Sequence, residues 1–300
     1  MTGFLPIAII GYILNGGAVV IDKILLNTSL PKPAIYTFYI SMLGLLAILL
    51  LPFGFEWKNS ILLPAFLSGV TATLALLTFF QSLKSGEASV AGPVIGAFNP
   101  LFALILGITF FNQLISGSQL IAILVLILGT AILTFNLWFS RIKSQKQLLT
   151  MTLSGFFFAL SYVFLKEVFL QSNFITGLIL TRFFGAAAAL LFLLMPDFRN
   201  QIFASSLKKH NFFNKTSLLL LTGQSMGAAQ GFLLALAVSL ASPALVNSLF
   251  GMQYLVILGV SLALAKKAPQ LLDENLSKAV VWQKILGAGI LSLGVYLLSL

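Results

Sequence analysis

The 300-residue sequence contains no cysteine, one histidine and only seven acidic residues. Without cysteine there are no disulfides and no thiolate metal centres. The single His210 lies in a basic connection, which excludes a histidine metal cluster. Charged residues make up 8% of the chain, against the roughly 25% usual for soluble domains. Apolar residues make up 59%, and the mean hydropathy is +1.05. That balance belongs to an integral membrane protein. No glycine-rich phosphate loop follows a strand, so the chain carries no ATP drive. No buried acid pair and no Ser-His or Ser-Lys arrangement at one membrane depth supports catalysis. An enzyme is not expected, nor is any cofactor.

What is present is a succession of apolar runs. We read ten spans, at 3–21, 34–53, 60–83, 88–111, 118–138, 149–170, 174–195, 216–240, 243–265 and 282–300. No soluble domain of any size separates them. The N-terminal MTGFLPIAIIGY has no basic leader and no small-residue cleavage site, so the first span reads as retained. The net charge of +10 comes with no basic stripe or aromatic-basic platform, which argues against nucleic acid. Instead Lys and Arg concentrate in short connections. Lys23, Lys32, Lys84, Arg141, Lys143, Lys146, Arg199, Lys208, Lys209, Lys215, Lys266, Lys267, Lys278 and Lys284 follow the odd-numbered spans, and only Lys58 and Lys166 fall on the opposite side. The positive-inside rule then puts the odd connections in the cytoplasm and both termini outside, in a cell (inner or plasma) membrane. Sequons at Asn27, Asn214 and Asn275 lie on that inner side, where they would go unused.

Span four, Ala88–Phe111, carries no charge but holds Pro93 and Pro100. Prolines inside a helix free backbone carbonyls, which hydrocarbon cannot satisfy. This predicts a kinked wall of a passage, with the strip Gly92, Gly96 and Asn99 beside it and Asn99 facing the path. A shift of 155 residues lays Gly96 on Gly251, Gly92 on Asn247 and Asn99 on Tyr254. Span nine thus answers span four with Asn247, Gly251 and Tyr254, but has Ser248 and Leu255 where the prolines stand. Gly129 and Gly294, Gly11 and Gly155, and Gly44 and Gly185 occupy matching places in other span pairs. The chain reads as an all-α polytopic membrane protein of ten transmembrane helices, arranged as two five-helix repeats at 1–140 and 148–300. Five is odd, so the second repeat enters the membrane inverted, as in transporters with a midplane site between halves.

With Asn99-Pro100-Leu101-Phe102-Ala103 in the fourth span and glycine-punctuated fifth and tenth spans, the whole chain resembles the EamA-type drug/metabolite transporter superfamily. The family's Gly-Glu pair after span four is replaced by Phe111-Asn112-Gln113. Its arginine in span seven is matched by Arg182, while Ser41 fills the span-two place. The resemblance implies that spans 1–4 and 6–9 surround a substrate path. It also implies that spans five and ten pack or make dimer contacts, in a monomer or homodimer.

Arg182 is the one ionisable side chain well inside a span. Mid-bilayer arginine costs roughly 2.5–3.5 kcal/mol on insertion scales, so it should face the bundle interior. It reads either as a carboxylate or phosphate clamp or as a tie to free carbonyls or a span-end acid. Asp22 and Glu167 sit at the ends of spans one and six, each beside a lysine, and Glu87 lies between spans three and four. With no mid-span acid, the sequence favours facilitated diffusion, exchange, or coupling through a span-end acid. Asn15 shares a helical strip with Gly11, Ala18 and Asp22. Together with Gln224, Gln230 and Asn247 it forms the polar set expected to contact substrate or neighbouring helices. Tyr39, Tyr162 and Tyr254 add hydroxyl-bearing rings. Gly223, Gly227 and Gly231 form a doubled GxxxG in span eight, which predicts close helix packing.

The function expected is secondary transport of small organic metabolites across the bilayer by alternating access. By resemblance these are amino acids or related compounds, with export as the direction. The alternatives are uptake or exchange of a cationic or neutral solute, such as a quaternary amine or nucleobase, and a non-transporting scaffold or receptor subunit.

Overall fold

The computed structural model describes residues 3–28, 32–85, 88–141, 144–206, 215–264 and 278–299. Among the described residues there are helices and no strands. They are α1 (Phe4–Thr28), α2 (Pro33–Leu43), α3 (Leu62–Ser85), α4 (Ala88–Phe111), α5 (Gly117–Arg141) and α6 (Gln145–Gln171) in the first part of the chain. After them come α7 (Phe174–Leu190), α8 (Pro196–Ser206), α9 (Lys215–Leu240), α10 (Pro243–Ser248), α11 (Met252–Leu264) and α12 (Lys278–Ser299). Among the described residues eight segments are long and apolar enough to cross a membrane; Gly117–Ile132 and Pro243–Ile257 are shorter apolar helical stretches. Leu49, Phe53, Phe110 and Leu194 are each at least 70% exposed, as lipid-facing side chains are in a multi-pass bundle.

Local chemistry sets the helix ends. Pro33 starts α2 with its φ already helical and no amide to leave unpaired. Asn173 caps α7 by accepting from Thr176 N at 2.8 Å, while its own amide donates to Gly54 O at 2.7 Å. The Thr176 hydroxyl accepts from Glu56 N, so the α2–α3 loop is fastened to the start of α7. Gly54 itself has φ +120°, a conformation that glycine adopts without strain. Two spans change winding before they finish. α2 passes at Gly44 into a 3₁₀ segment reaching Phe53, and α7 passes into Leu191–Leu194.

The expected contrast between spans four and nine is reversed. α4 is one uninterrupted helix, and span nine is the broken one, as α10, a 3₁₀ turn at Leu249–Gly251, and α11. α4 continues through Pro100, although that residue donates no backbone hydrogen bond to the carbonyl four residues back. Pro93 stands inside α4, but its side chain lies outside the described residues. In span nine, the Ser248 hydroxyl donates to Leu245 O at 2.7 Å, competing with the backbone ladder. Gly251 then meets Thr130 Oγ1 and Leu291 so closely that no Cβ would fit.

Packing joins distant parts of the chain: α1 on α9, α3 on α6 and α7, α4 on α6 and α10, and α5 along α12. The α5–α12 seam is reciprocal. A Cβ on Gly129 would lie 2.9 Å from Leu291 N, and one on Gly294 would lie 2.6 Å from Leu126 Cγ. Lys23 Nζ donates to Leu83 O at 2.8 Å, and Lys166 Nζ donates to Val238 O and Ser239 O at 3.1 and 3.0 Å. Each lysine thus caps the last carbonyls of a neighbouring helix, where cations are favoured. Lys284 is buried within α12 and not in a connection, which removes it from the charge count that orients the chain.

The GxxxG expectation for α9 is only partly met. Gly223 abuts Ile21 on α1, but Gly227 has nothing within 4 Å and Gly231 faces Arg182. The tight backbone crossing is elsewhere, at Gly69, where a Cβ would lie 2.5 Å from Gly185 N and 2.6 Å from Thr181 O. Gly69→Val should therefore lower the unfolding temperature in detergent, by an energy of about 1–3 kcal/mol, while Gly227→Ala leaves it unchanged or raised. Equal melting temperatures for the two variants would contradict this placement of the crossing.

Candidate functional site

Arg182 lies on the third turn of α7 and reaches the junction of four helices. Its aliphatic stem packs 3.5 Å from the position a Cβ on Gly44 would take, at the point where α2 changes winding. Its guanidinium Nη2 stands 3.5 Å from Gly231 O on α9, at the outer limit of a hydrogen bond. Tyr162 on α6 is close enough for electrostatic interaction. Both side chains are half-buried among these helices. Among the described residues no carboxylate pairs with Arg182. The tie to a span-end acid considered from sequence is not made.

The surroundings of Arg182 follow from how the helices pack. α9 leans on α1 and α6, but it has no substantial packing against α2. Arg182 reaches into the gap between them, touching Gly44 on one side and Gly231 on the other. Ser41, one turn before Gly44 on α2, is buried with a hydroxyl that has no hydrogen-bond partner among the described residues. This is unusual in the bundle, where Thr37, Thr71, Thr78 and Thr181 all donate to carbonyls of their own helices. Gln230, half-buried on α9, makes no hydrogen bond among the described residues either.

The other polar residues form two separate networks. In the first, Asn247 Nδ2 donates to Asn99 Oδ1 at 3.0 Å and Asn247 Oδ1 accepts from Tyr12 at 3.4 Å. Asn99 is 1% exposed and Asn247 0%. Asn99 therefore does not face a path in this conformation; it joins α4 to α10. Next to it, Asn15 Nδ2 donates to Gln253 Oε1, joining α1 to α11. Tyr254 is buried beside Phe250, and its hydroxyl, whose polar neighbour is Gln253, makes no well-formed hydrogen bond among the described residues. Amides buried away from water need partners, and these amides find one another across helices.

The second network was not anticipated as a unit. Asp22 is 8% exposed; its Oδ1 accepts from the Tyr36 hydroxyl at 2.5 Å, and Tyr36 accepts from Gln224 Nε2 at 3.2 Å. Neighbouring Lys23 is turned to Leu83 O and does not pair with it. The signal was in the sequence. Asp22 continues the strip Gly11, Asn15, Ala18 that buries the face of α1, and so cannot be a solvated span end. Tyr39 does not join this group; it is 37% exposed and stacks edge-on with Phe38.

These contacts predict a measurable coupling. In a double-mutant cycle of Asn99→Ala and Asn247→Ala, thermal or denaturant unfolding should give an interaction energy of roughly 0.6–1.7 kcal/mol, the range of interhelical hydrogen bonds in membranes. Strict additivity would mean that the pair contributes nothing.

Residues 4–135 match the model of the EamA-like transporter family. No curated protein matches the sequence. A solved structure described only as "Crystal structure of protein" is similar at 13% identity, covering 95% of each chain with a TM-score of 0.56. At that identity the likeness concerns the fold alone. Through residues 4–135, somewhat under half of its length, this multi-pass membrane chain is similar to the EamA-like transporter family.

Proposed function

We propose that the protein is a secondary transporter for small organic metabolites bearing a carboxylate, amino acids and related compounds first, working by alternating access. The observation that carries this reading is Arg182. A guanidinium held in the middle of a span, half-buried in the bundle and without a carboxylate partner among the described residues, offers a bidentate fork to an anionic group. Ser41 and Tyr162 supply hydroxyls beside it, and Gly44 and Gly231 keep the space around it open.

Several contacts support a ten-span architecture of two inverted halves, 1–140 and 148–300. The α1–α9 packing has its counterpart in α6–α3. Gly129 against Leu291 answers Gly294 against Leu126. Lys23 on the end of α3 answers Lys166 on the end of α9. Spans two and seven both finish in 3₁₀ winding. The Asn99–Asn247 and Asn15–Gln253 bonds then act as a seal on one side of Arg182, opening as substrate passes. Export is the proposed direction, and the basic connections favour termini outside the cytoplasm.

Purified protein in liposomes loaded with a broad metabolite panel should exchange amino acids. Arg182→Ala should weaken carboxylate-bearing substrates by about 10- to 150-fold, the equivalent of roughly 1.5–3 kcal/mol for a charge-assisted hydrogen bond. Arg182→Lys should recover only part, because it keeps the charge without the fork. Undiminished anion or zwitterion transport in Arg182→Ala would remove the clamp, and selective survival of cation transport would support it. For orientation, a C-terminal reporter active only in the cytoplasm should stay silent; activity would reverse the topology.

A further inference from the structure

We infer that Asp22, Tyr36 and Gln224 form a proton-binding relay that couples substrate movement to a pH gradient. The inference rests on the transporter reading above and adds its driving ion. The geometry carries it: a carboxyl group more than nine-tenths buried on α1, bonded to a hydroxyl on α2 that is bonded to an amide on α9. The relay joins spans one, two and eight, so it bridges the two proposed halves and crosses between α2 and α9, the helices that Arg182 also reaches.

The relay can be satisfied with or without the proton. When Asp22 is a carboxylate, Gln224 N–H donates to Tyr36 and the Tyr36 O–H donates to Asp22. When Asp22 is protonated, its O–H donates to Tyr36, and the Tyr36 O–H donates to Gln224 Oε1 after a turn of the amide. A glutamine offers both a donor and an acceptor end, so no buried polar atom is orphaned in either state. A lysine in place of Gln224 would donate only, and would fix one direction. The proton arrives from water, binds a carboxylate oxygen and leaves from the same oxygen; no covalent bond to carbon changes.

The surrounding charges leave Asp22 free to respond. On its own helix, Lys23 is engaged with Leu83 O. From α2 the titratable group facing it is Tyr36. From α3 the nearest charged residue is Lys84, exposed at the helix end. α9 contributes Gln224, and its one charged residue, Lys215, has its side chain outside the described residues. α11 brings Tyr254, which is occupied beside Gln253 and Phe250. Asp22 thus gains or loses a full charge with no ion-pair partner to offset it among the described residues. A charge change at a helix junction shifts the balance between two packings. With the proton bound, α1, α2 and α9 are held by neutral bonds only.

The test uses the full-length protein in liposomes with a radiolabelled mixture of the twenty amino acids, comparing wild type, Asp22→Asn and Tyr36→Phe. With equal pH on both sides, the exchange rate of wild type and of each variant is measured first, and accumulation is scored relative to each protein's own exchange. With a pH gradient, wild type should accumulate label at least several-fold and Asp22→Asn should not. Tyr36→Phe, which keeps the acid but cuts the relay, should fall between them. Accumulation by Asp22→Asn, or accumulation driven by a sodium gradient instead, would overturn the relay while leaving the transporter reading intact. Absence of exchange by wild type would count against the amino-acid reading, and the relay would then be decided by infrared difference spectra of the purified protein. A protonated-carboxyl band that titrates in wild type and is missing in Asp22→Asn supports the relay; its absence from wild type overturns it. Should Asp22→Asn not fold, the same comparisons with Asp22→Glu and Tyr36→Phe decide, since Asp22→Glu should retain coupling.

Discussion

Hydrocarbon offers no hydrogen bonds, so every polar side chain that this chain carries into the bilayer must be met by another part of the chain. The bundle is organised by how that demand is met. Asn99 and Asn247 answer each other, Asn15 answers Gln253, and Asp22 is answered by Tyr36 and through it by Gln224. Each pairing crosses from one helix to another, so the polar groups that cost most to bury also hold the helices in register. Individually such bonds contribute little in membranes, about 0.6 kcal/mol on average. Their value lies in the alternatives they exclude, because any slip of α1 against α11 or of α4 against α10 leaves several amides unpaired at once.

Arg182 and Ser41 stand outside this accounting. Among the described residues Arg182 has no carboxylate partner and the Ser41 hydroxyl no hydrogen-bond partner. That spare bonding capacity is what the proposed anion clamp rests on. The adjoining gap between α2 and α9 has the same origin. Gly44 and Gly231 present no side chains there, so the guanidinium reaches both helices without either closing over it.

Much of this could be read from the sequence, and the failures have identifiable causes. The apolar runs, the interior Arg182 and the glycine seam of spans five and ten follow from composition and spacing, which do not depend on partners. The kink was assigned to the wrong wall. Two prolines in span four outweighed a single Ser248 in span nine, yet α4 runs through both prolines, and a serine back-bond beside a tightly packed glycine accompanies the break in span nine. Asn99 was aimed at the path because its strip was known, but its partner Asn247 lies 148 residues away and no local pattern reveals that pairing. Asp22 was placed at the end of span one beside a lysine, with no partner assigned to it. The direction of Lys23, toward Leu83 O, depends on how α3 ends.

The change of winding in α2 has a consequence for length. Eleven residues of α-helix rise about 1.5 Å each and the ten 3₁₀ residues from Gly44 to Phe53 about 2.0 Å each, so this span of twenty-one residues extends about 36 Å. The twenty-four residues of α4, wound throughout as α-helix, extend the same distance. The shorter segment therefore matches the bilayer by being stretched, and the stretch begins at the glycine against which Arg182 rests. Rewinding those ten residues into α-helix would draw the Gly54 end inward by about 5 Å, close to one helical turn. The proposed anion clamp is thus seated where this change of winding begins.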